Sequence, residues 1–189
     1  MGKIKTATDI YLKLFNKNKN RLEKFLTDDF VDYDLIDDYE ENLKLIKLIS
    51  ERSKSIIEVN SFYNLSSIAL LAGKPQTLVK IDDKINNKYY NLINYIDNIE
   101  LLLYERHKKM EFNNNFSVDS IYINNIFQKD YNYKIYDNIF SNVTAKKYVF
   151  IDGFDDYFSE LVDVYLSTKE WKIYYLNENK FNFVILKNI

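Results

Sequence analysis

The sequence predicts an α/β protein with a mostly parallel, seven-stranded sheet, helices on both faces, and helices that precede the sheet. From Ser55 onward, short β-rich runs alternate with helical apolar patterns, which is typical of βαβ units. The chain then closes with two β-rich runs on either side of Asn177–Asn179, which indicate an antiparallel hairpin. A chain of 189 residues suits one domain with a sizeable core.

Residues 1–54 are predicted to be a helical extension that packs on the same domain. Apolar residues from Ile4 to Leu26 follow a roughly helical spacing, which the polar run Asn16–Asn20 interrupts, so one or two short helices are expected there. A further helix is expected over Tyr39–Lys54, because its acidic residues come early and its basic residues late, which suits the helix dipole. This helix would cover the sheet before its first strand.

Residues 55–189 contain the predicted sheet. Its parallel strands are expected at Ser55–Asn60, Thr77–Asp82, Ile99–Tyr104, Val118–Ile123 and Lys147–Ile151. Helices are expected at Leu65–Ala72, Ile85–Tyr95 and Tyr157–Leu166, with an irregular or helical segment at Phe127–Phe140. The closing hairpin is expected to pair Trp171–Leu176 with Phe181–Leu186.

The composition excludes several functional classes. The net charge of −2 gives no electrostatic signal for nucleic acid, and the absence of cysteine excludes disulfides and thiolate metal sites. Apolar runs such as Ile99–Tyr104 are much shorter than the ~20 residues that span a bilayer. A cytoplasmic protein without a membrane partner is therefore expected. The abundance of Asn, Lys, Ile and Tyr indicates an AT-rich coding sequence, as in many phages and other viruses, so the expected location includes a host cytoplasm or virion.

The stretch Ser55–Ser67 has the pattern of a buried strand that passes through a tight turn into a helix. It resembles the first motif of the class I S-adenosylmethionine (SAM)-dependent methyltransferases, in which E-x-G-x-x-x-G joins strand and helix. Asn60 and Asn64 stand at the two glycine positions. Because Asn tolerates positive φ better than other non-glycine residues, the turn can persist without glycine. The resemblance extends from Ile56 to the C-terminus and implies a Rossmann-like methyltransferase domain.

The resemblance also implies a cofactor site for SAM. The residues that it places at the cofactor are Glu58, Asn60, Ser61, Tyr63, Asn64, Asp82 and Asp83. Asp82 ends the second strand, where the family has a carboxylate that accepts hydrogen bonds from a ribose. Asp83 could instead be the N-cap of the following helix. An asparagine at either glycine position adds side-chain atoms beside the ligand, so a plain βα connection without a ligand is the alternative interpretation.

The run Asp119–Asn125 resembles the fourth-strand motif D-x-I-x-I-D-G of the same family, with Asn124 and Asn125 at the Asp-Gly positions. A rival register places this motif on Tyr148–Gly153, which keeps the acid and the glycine but leaves one strand too few afterwards. We prefer the first register because it uses the whole chain. In that register, the acid that the family carries at the end of strand four is absent.

Asp152, Asp155 and Asp156 form an acidic cluster beside Gly153. Their oxygens are suitable ligands for Mg²⁺ or Ca²⁺, so they are weak candidates for a metal site. The short spacing instead favours a turn followed by an N-capped helix, and no metal is predicted. His107 lies between Arg106 and Lys108 and is expected in an exposed loop, so no catalytic residue is assigned.

Two main functions agree with these patterns. The first is a methyltransferase-fold pseudoenzyme that serves as a non-catalytic binding or assembly module, with its cleft filled by Tyr63, Asn64 or the segment Phe127–Phe140. The second is a divergent active methyltransferase that acts on a small molecule or glycan, with Asp152 or Asp155 near the acceptor. An accidental resemblance is a third alternative, and the closing hairpin argues against it.

The chain has 17 tyrosines and 13 phenylalanines, more than one core explains comfortably. Tyrosine is favoured at interface anchors, so a protein partner or self-assembly is expected. AT-rich coding by itself also favours these two residue types.

Overall fold

The computed structural model describes residues 33–60, 65–82, 99–105, 116–125, 134–153, 155–177 and 182–189. Within these ranges the helices are α1 (Tyr33–Ser50), α2 (Leu65–Ala72), α3 (Lys134–Asn142) and α4 (Asp156–Ser167). The strands are β1 (Ser55–Val59), β2 (Thr77–Asp82), β3 (Glu100–Glu105), β4 (Phe116–Asn124), β5 (Val143–Asp152), β6 (Trp171–Asn177) and β7 (Phe183–Asn188).

All seven strands belong to one sheet with the order β3-β2-β1-β4-β5-β7-β6. Neighbouring strands from β3 to β5 are parallel, whereas β7 is antiparallel to both β5 and β6. The predicted fold class, with its seven strands and closing hairpin, is confirmed. The order reverses direction between β1 and β4, and this position determines where an open α/β sheet can bind a ligand.

The two faces of the sheet are covered by different helices. On the first face, α1 and α2 pack on strand residues such as Ile56, Leu78 and Phe150. On the second face, α3 and α4 pack on the alternate strand residues, including Val149 and Ile151. Because both faces are buried, the central strands read as nearly continuous apolar runs rather than as alternating ones.

Most predicted boundaries agree with the structure to within a few residues. The predicted bounds of α2 and β2 are those of the structure. Helix α1 begins at Tyr33 rather than Tyr39, and β5 begins at Val143 rather than Lys147. The segment predicted as irregular or helical, Phe127–Phe140, overlaps α3, which ends two residues beyond it at Asn142.

Other predictions concern residues outside the described ranges: the helices between Ile4 and Leu26, the helix Ile85–Tyr95, and the loop position of His107. The proposed division at residue 54 also stays a prediction. Among the described residues, no helix has the length and apolar character needed to cross a bilayer.

Candidate cofactor crevice

The candidate site lies at the carboxyl ends of β1 and β4, where the strand order reverses. In open α/β sheets, the chain leaves two such neighbouring strands in opposite directions, which opens a crevice for a ligand. Of the first-turn residues predicted at the cofactor, Asn60 is described, and it follows β1 at this edge. The preferred register of the fourth-strand motif is confirmed, because β4 lies between β1 and β5 and ends at Asn124.

Asn60 is the first residue after β1 and has a left-handed backbone with φ of 58°. Its backbone N–H donates to the carbonyl of Ile81 at 2.8 Å, which ties the turn to β2. This is a conformation that glycine adopts without strain and that asparagine tolerates better than other residues. The positive φ expected of an asparagine at this glycine position is thus observed at Asn60.

The side chain of Asn60 crosses the opening between the strands. Its Nδ2 donates to the carbonyl of Asn124 on β4 at 3.2 Å and to the Tyr136 hydroxyl on α3 at 3.1 Å. Asn60 and Tyr136 are both buried. The side chain that replaces a glycine hydrogen therefore links three elements around the crevice. Tyr136 was not predicted as a site residue, although it lies in the segment Phe127–Phe140 that was expected to fill the cleft.

Glu58 is fully buried at the end of β1 and is bonded within the protein. Its carboxylate accepts hydrogen bonds from Ser66 at 2.9 Å and from Ser67 at 2.8 Å, at the start of α2. Burial raises the pKa of Glu58, while Lys80 and the serine hydroxyls counteract this shift. A ligand that contacted this carboxylate directly would have to replace one of these bonds.

Lys80 of β2 is a buried residue that sequence reasoning missed. Its ammonium Nζ lies 3.2 Å from Glu58 Oε2, 2.7 Å from Ser67 Oγ and 3.5 Å from Asp82 Oδ2. Lys80 stands directly beside Glu58 in the register of β1 and β2. A lysine in the otherwise apolar run of β2 was a visible signal, but only the strand register identifies its partner.

Asp82 lies at the end of β2 as predicted, and 24% of its side chain is exposed. The two acids that the resemblance assigned to the cofactor, Glu58 and Asp82, thus share one internal cation. The remaining predicted cofactor residues, Ser61, Tyr63, Asn64 and Asp83, lie outside the described residues.

Asp152 ends β5 directly beside Asn124 of β4 and is fully buried. Its Oδ2 accepts hydrogen bonds from the hydroxyls of Tyr39 on α1 and Tyr122 on β4, the latter at 2.9 Å. The two hydroxyls lie 3.0 Å apart. Asn124 Nδ2 lies 3.4 Å from the same oxygen, whereas Oδ1 is buried without a hydrogen-bond partner in the described structure.

Burial raises the pKa of Asp152 to about 7, although the surrounding donors counteract the shift. Desolvation, followed by the charge of Asp152, raises the pKa of Tyr39 and Tyr122 well above 10. The tyrosines therefore stay neutral donors, and Asp152 is the group of this network that changes charge near neutral pH.

Asp155 is the N-cap of α4, and its Oδ1 accepts from the backbone N–H of Phe158 at 3.2 Å. Its Oδ2 accepts from Asn125 Nδ2 at 3.0 Å. Asp156 is exposed in the first turn of α4, which confirms the prediction of an N-capped helix start with matched charge. Among the described residues, no group of three His, Cys, Asp or Glu side chains is arranged to hold a metal ion.

The strand order and the position of the crevice define the fold of the class I SAM-dependent methyltransferases. The chain is similar in structure to TYW2 from M. jannaschii, solved in complex with AdoMet. The TM-score is 0.52 at 15% sequence identity, and the match covers 86% of this chain and 80% of the other. It is also similar to the N-methyltransferase NodS from Bradyrhizobium japonicum WM9. The TM-score is 0.53 at 10% sequence identity, and the match covers 83% of this chain and 98% of the other.

No protein-family model and no curated protein matches the sequence. At these low identities, the structural similarity establishes the fold alone, and the activity has to be argued from the residues at the crevice.

Proposed function

We propose that this protein is a methyltransferase-fold pseudoenzyme that acts as a non-catalytic binding or assembly module. The observation that carries the proposal is the position of the Asn60 side chain, which bonds to Asn124 and Tyr136 across the opening between β1 and β4. The crevice that holds a cofactor in proteins of this fold is here linked together by the chain's own residues.

The energetics of the first turn support the proposal. A ligand entering between β1 and β4 would displace two hydrogen bonds of Asn60, each worth about 1 kcal/mol net. A ligand that drew Lys80 away from Glu58 would leave a buried carboxylate uncompensated, which costs about 3–5 kcal/mol. Cofactor binding would have to overcome the first penalty, and the second as well if the ligand displaced Lys80.

A protein partner or a second copy of the chain is part of the same proposal, as are a viral or phage origin and a location in the host cytoplasm or virion. Several large apolar side chains are exposed in the described structure, which favours a contact surface. They are Leu48, Tyr104, Phe116, Val164, Ile173, Tyr174, Leu176 and Ile189.

A divergent active methyltransferase acting on a small molecule or glycan is the second candidate, and Asp152 favours it. A carboxyl with a pKa of about 7 is suited to general base catalysis near neutral pH. Its Oδ1 has no hydrogen-bond partner in the described structure and lies at the edge where this fold binds ligands. In this alternative, Asp152 would take the proton of the methyl acceptor.

Calorimetric titration with SAM and S-adenosylhomocysteine separates the two candidates. The proposal expects no binding at millimolar ligand. Micromolar binding that disappears in the Asp82→Ala variant would overturn it in favour of the active enzyme. A thermal melt of that variant is the folding control, since Asp82 contributes to the Lys80 pair.

A further inference from the structure

A second concave site lies between α3 and α4 on the second face of the sheet, away from the crevice. This groove has a volume of about 390 Å³, which is within the range of small-ligand pockets. It is also lined by Val143 to Ala145 at the start of β5 and by Trp171 of β6. The groove lining shares no residue with the candidate cofactor site.

Four aromatic side chains contribute to the groove: Phe140, Tyr157, Tyr165 and Trp171. Tyr165 and Trp171 meet edge to face with ring centroids 4.9 Å apart, and Phe140 meets Tyr165 in the same way at 6.2 Å. Such contacts fix the orientation of the rings, so the groove has a preformed aromatic wall.

One carboxylate stands at this wall. Asp137 of α3 lines the groove, and its Oδ1 accepts a hydrogen bond from the Tyr157 hydroxyl at 2.7 Å. The groove lining contains no Lys or Arg, and no cation among the described residues forms an ion pair with Asp137. Within the described part of the chain, the Asp137 carboxylate therefore accepts from a neutral donor and has no cationic partner.

We propose that this groove binds an organic cation, as a free quaternary ammonium compound or as the Arg or Lys side chain of a partner. Aromatic faces attract ammonium and guanidinium groups, and the attraction grows where the ring is desolvated. Asp137 supplies the opposite charge at the same wall. Neutral ligands of equal size gain neither contribution, so the site discriminates by charge. The inference does not depend on whether the crevice binds SAM.

Trp171 reports directly on this site, because it is the only tryptophan of the chain and lines the groove. Its fluorescence can be followed during titration of the full chain with choline, with its neutral isostere 3,3-dimethylbutanol, and with the peptide Gly-Arg-Gly. We expect saturable changes with choline or the peptide, and at least ~10-fold weaker binding of the neutral isostere. The cation that binds more tightly identifies the source of the ligand.

Asp137→Asn is the decisive variant, because it removes the charge and keeps an oxygen that can accept from Tyr157. We expect it to weaken cation binding by about 10-fold. Asp163→Asn is the matched control, since Asp163 is an exposed acid of α4 outside the groove lining, and affinity should stay within about twofold.

Equal binding of choline and its isostere, equal effects of the two variants, or no saturable change with either cation would overturn the inference. Failure here is distinguishable from failure of the proposed function. The latter is read by calorimetry with SAM and by Asp82→Ala, which leaves the groove residues unchanged.

Discussion

The edge of the sheet that carries the carboxyl ends of its parallel strands buries two carboxyl groups, Glu58 in β1 and Asp152 in β5. The two groups have different partners. At the end of β1, Glu58 lies beside the ammonium of Lys80. At the end of β5, Asp152 is surrounded by the neutral donors Tyr39, Tyr122 and Asn124. Both residues are fully buried, so burial raises the pKa of both. The comparison teaches that the partner decides the role: Lys80 compensates the charge of Glu58 inside the protein, whereas the neutral network leaves Asp152 as a group that can titrate.

The largest expected effect on stability comes from removing Lys80, the cation beside Glu58. Lys80→Met should lower the free energy of unfolding by about 3–5 kcal/mol, because Glu58 would stay buried without its partner. Urea denaturation measures this loss. The control is Lys47→Met, which breaks the exposed pair with Glu51 and should change stability by less than about 1 kcal/mol.

Glu58→Gln added to Lys80→Met should restore part of the stability, since it removes the uncompensated charge. If Lys80→Met lowers the free energy of unfolding no more than Lys47→Met does, Lys80 does not compensate the buried charge of Glu58.

The second expected effect is a pH dependence of stability, which Asp152 should confer. The folded pKa of Asp152 is about 7, above its ordinary value of 3.8, so the folded state holds a proton that the unfolded state releases. The resulting stability is complete below the unfolded pKa and is lost as pH rises through 7. Each unit of pKa difference corresponds to about 1.4 kcal/mol, so a loss of a few kcal/mol is expected overall.

Urea denaturation at several pH values from 5 to 8 tests this dependence. Asp152→Asn should flatten the profile, because it replaces the titrating group by a neutral one that can still accept from the tyrosines. Asp163→Asn, an exposed acid of α4, should leave the profile as in the parent protein. A profile of Asp152→Asn as steep as that of the parent would assign the titration to another group.

A smaller effect is expected from removing one donor of the neutral network. The Tyr39 hydroxyl lowers the pKa of Asp152, so Tyr39→Phe should move the pH midpoint of the stability profile upward. It should also lower stability by about 1–2 kcal/mol where Asp152 is ionised. Tyr165→Phe is the control, since Tyr165 is a largely buried tyrosine outside this network. An unchanged midpoint in Tyr39→Phe would contradict the role of the hydroxyl.

The smallest effect on stability is expected at Asn60. Asn60→Gly loses two hydrogen bonds but relieves the positive φ, so stability should change by less than about 1 kcal/mol. Its effect on the ligand is larger: opening the crevice should allow SAM to bind at least ~10-fold more tightly than the millimolar limit expected for the parent chain.

Asn182→Gly is the matched control, because Asn182 also has a positive φ and precedes β7, which pairs with β5 and does not border the opening between β1 and β4. If both variants bind SAM equally, Asn60 does not block the crevice.

The sequence predicted the fold better than the site. Apolar runs with clear ends, such as β2 and α2, were predicted to the residue, because their boundaries follow from local patterns. The positive φ of Asn60 followed from the backbone preference of asparagine. The roles of Lys80 and Tyr136 could not be predicted, since each depends on residues far along the chain.

By itself, the sequence determined the order and type of the described elements, the positive φ at Asn60, and the N-capped helix start after Asp152. These are local properties, set by side-chain periodicity, backbone preference and hydrogen bonds between near neighbours. The tertiary structure alone decided that Lys80 lies beside Glu58 and that Asp152 lies beside Tyr39 and Tyr122. Those pairings arise from strand register and helix packing, which bring distant residues together and then withdraw them from water.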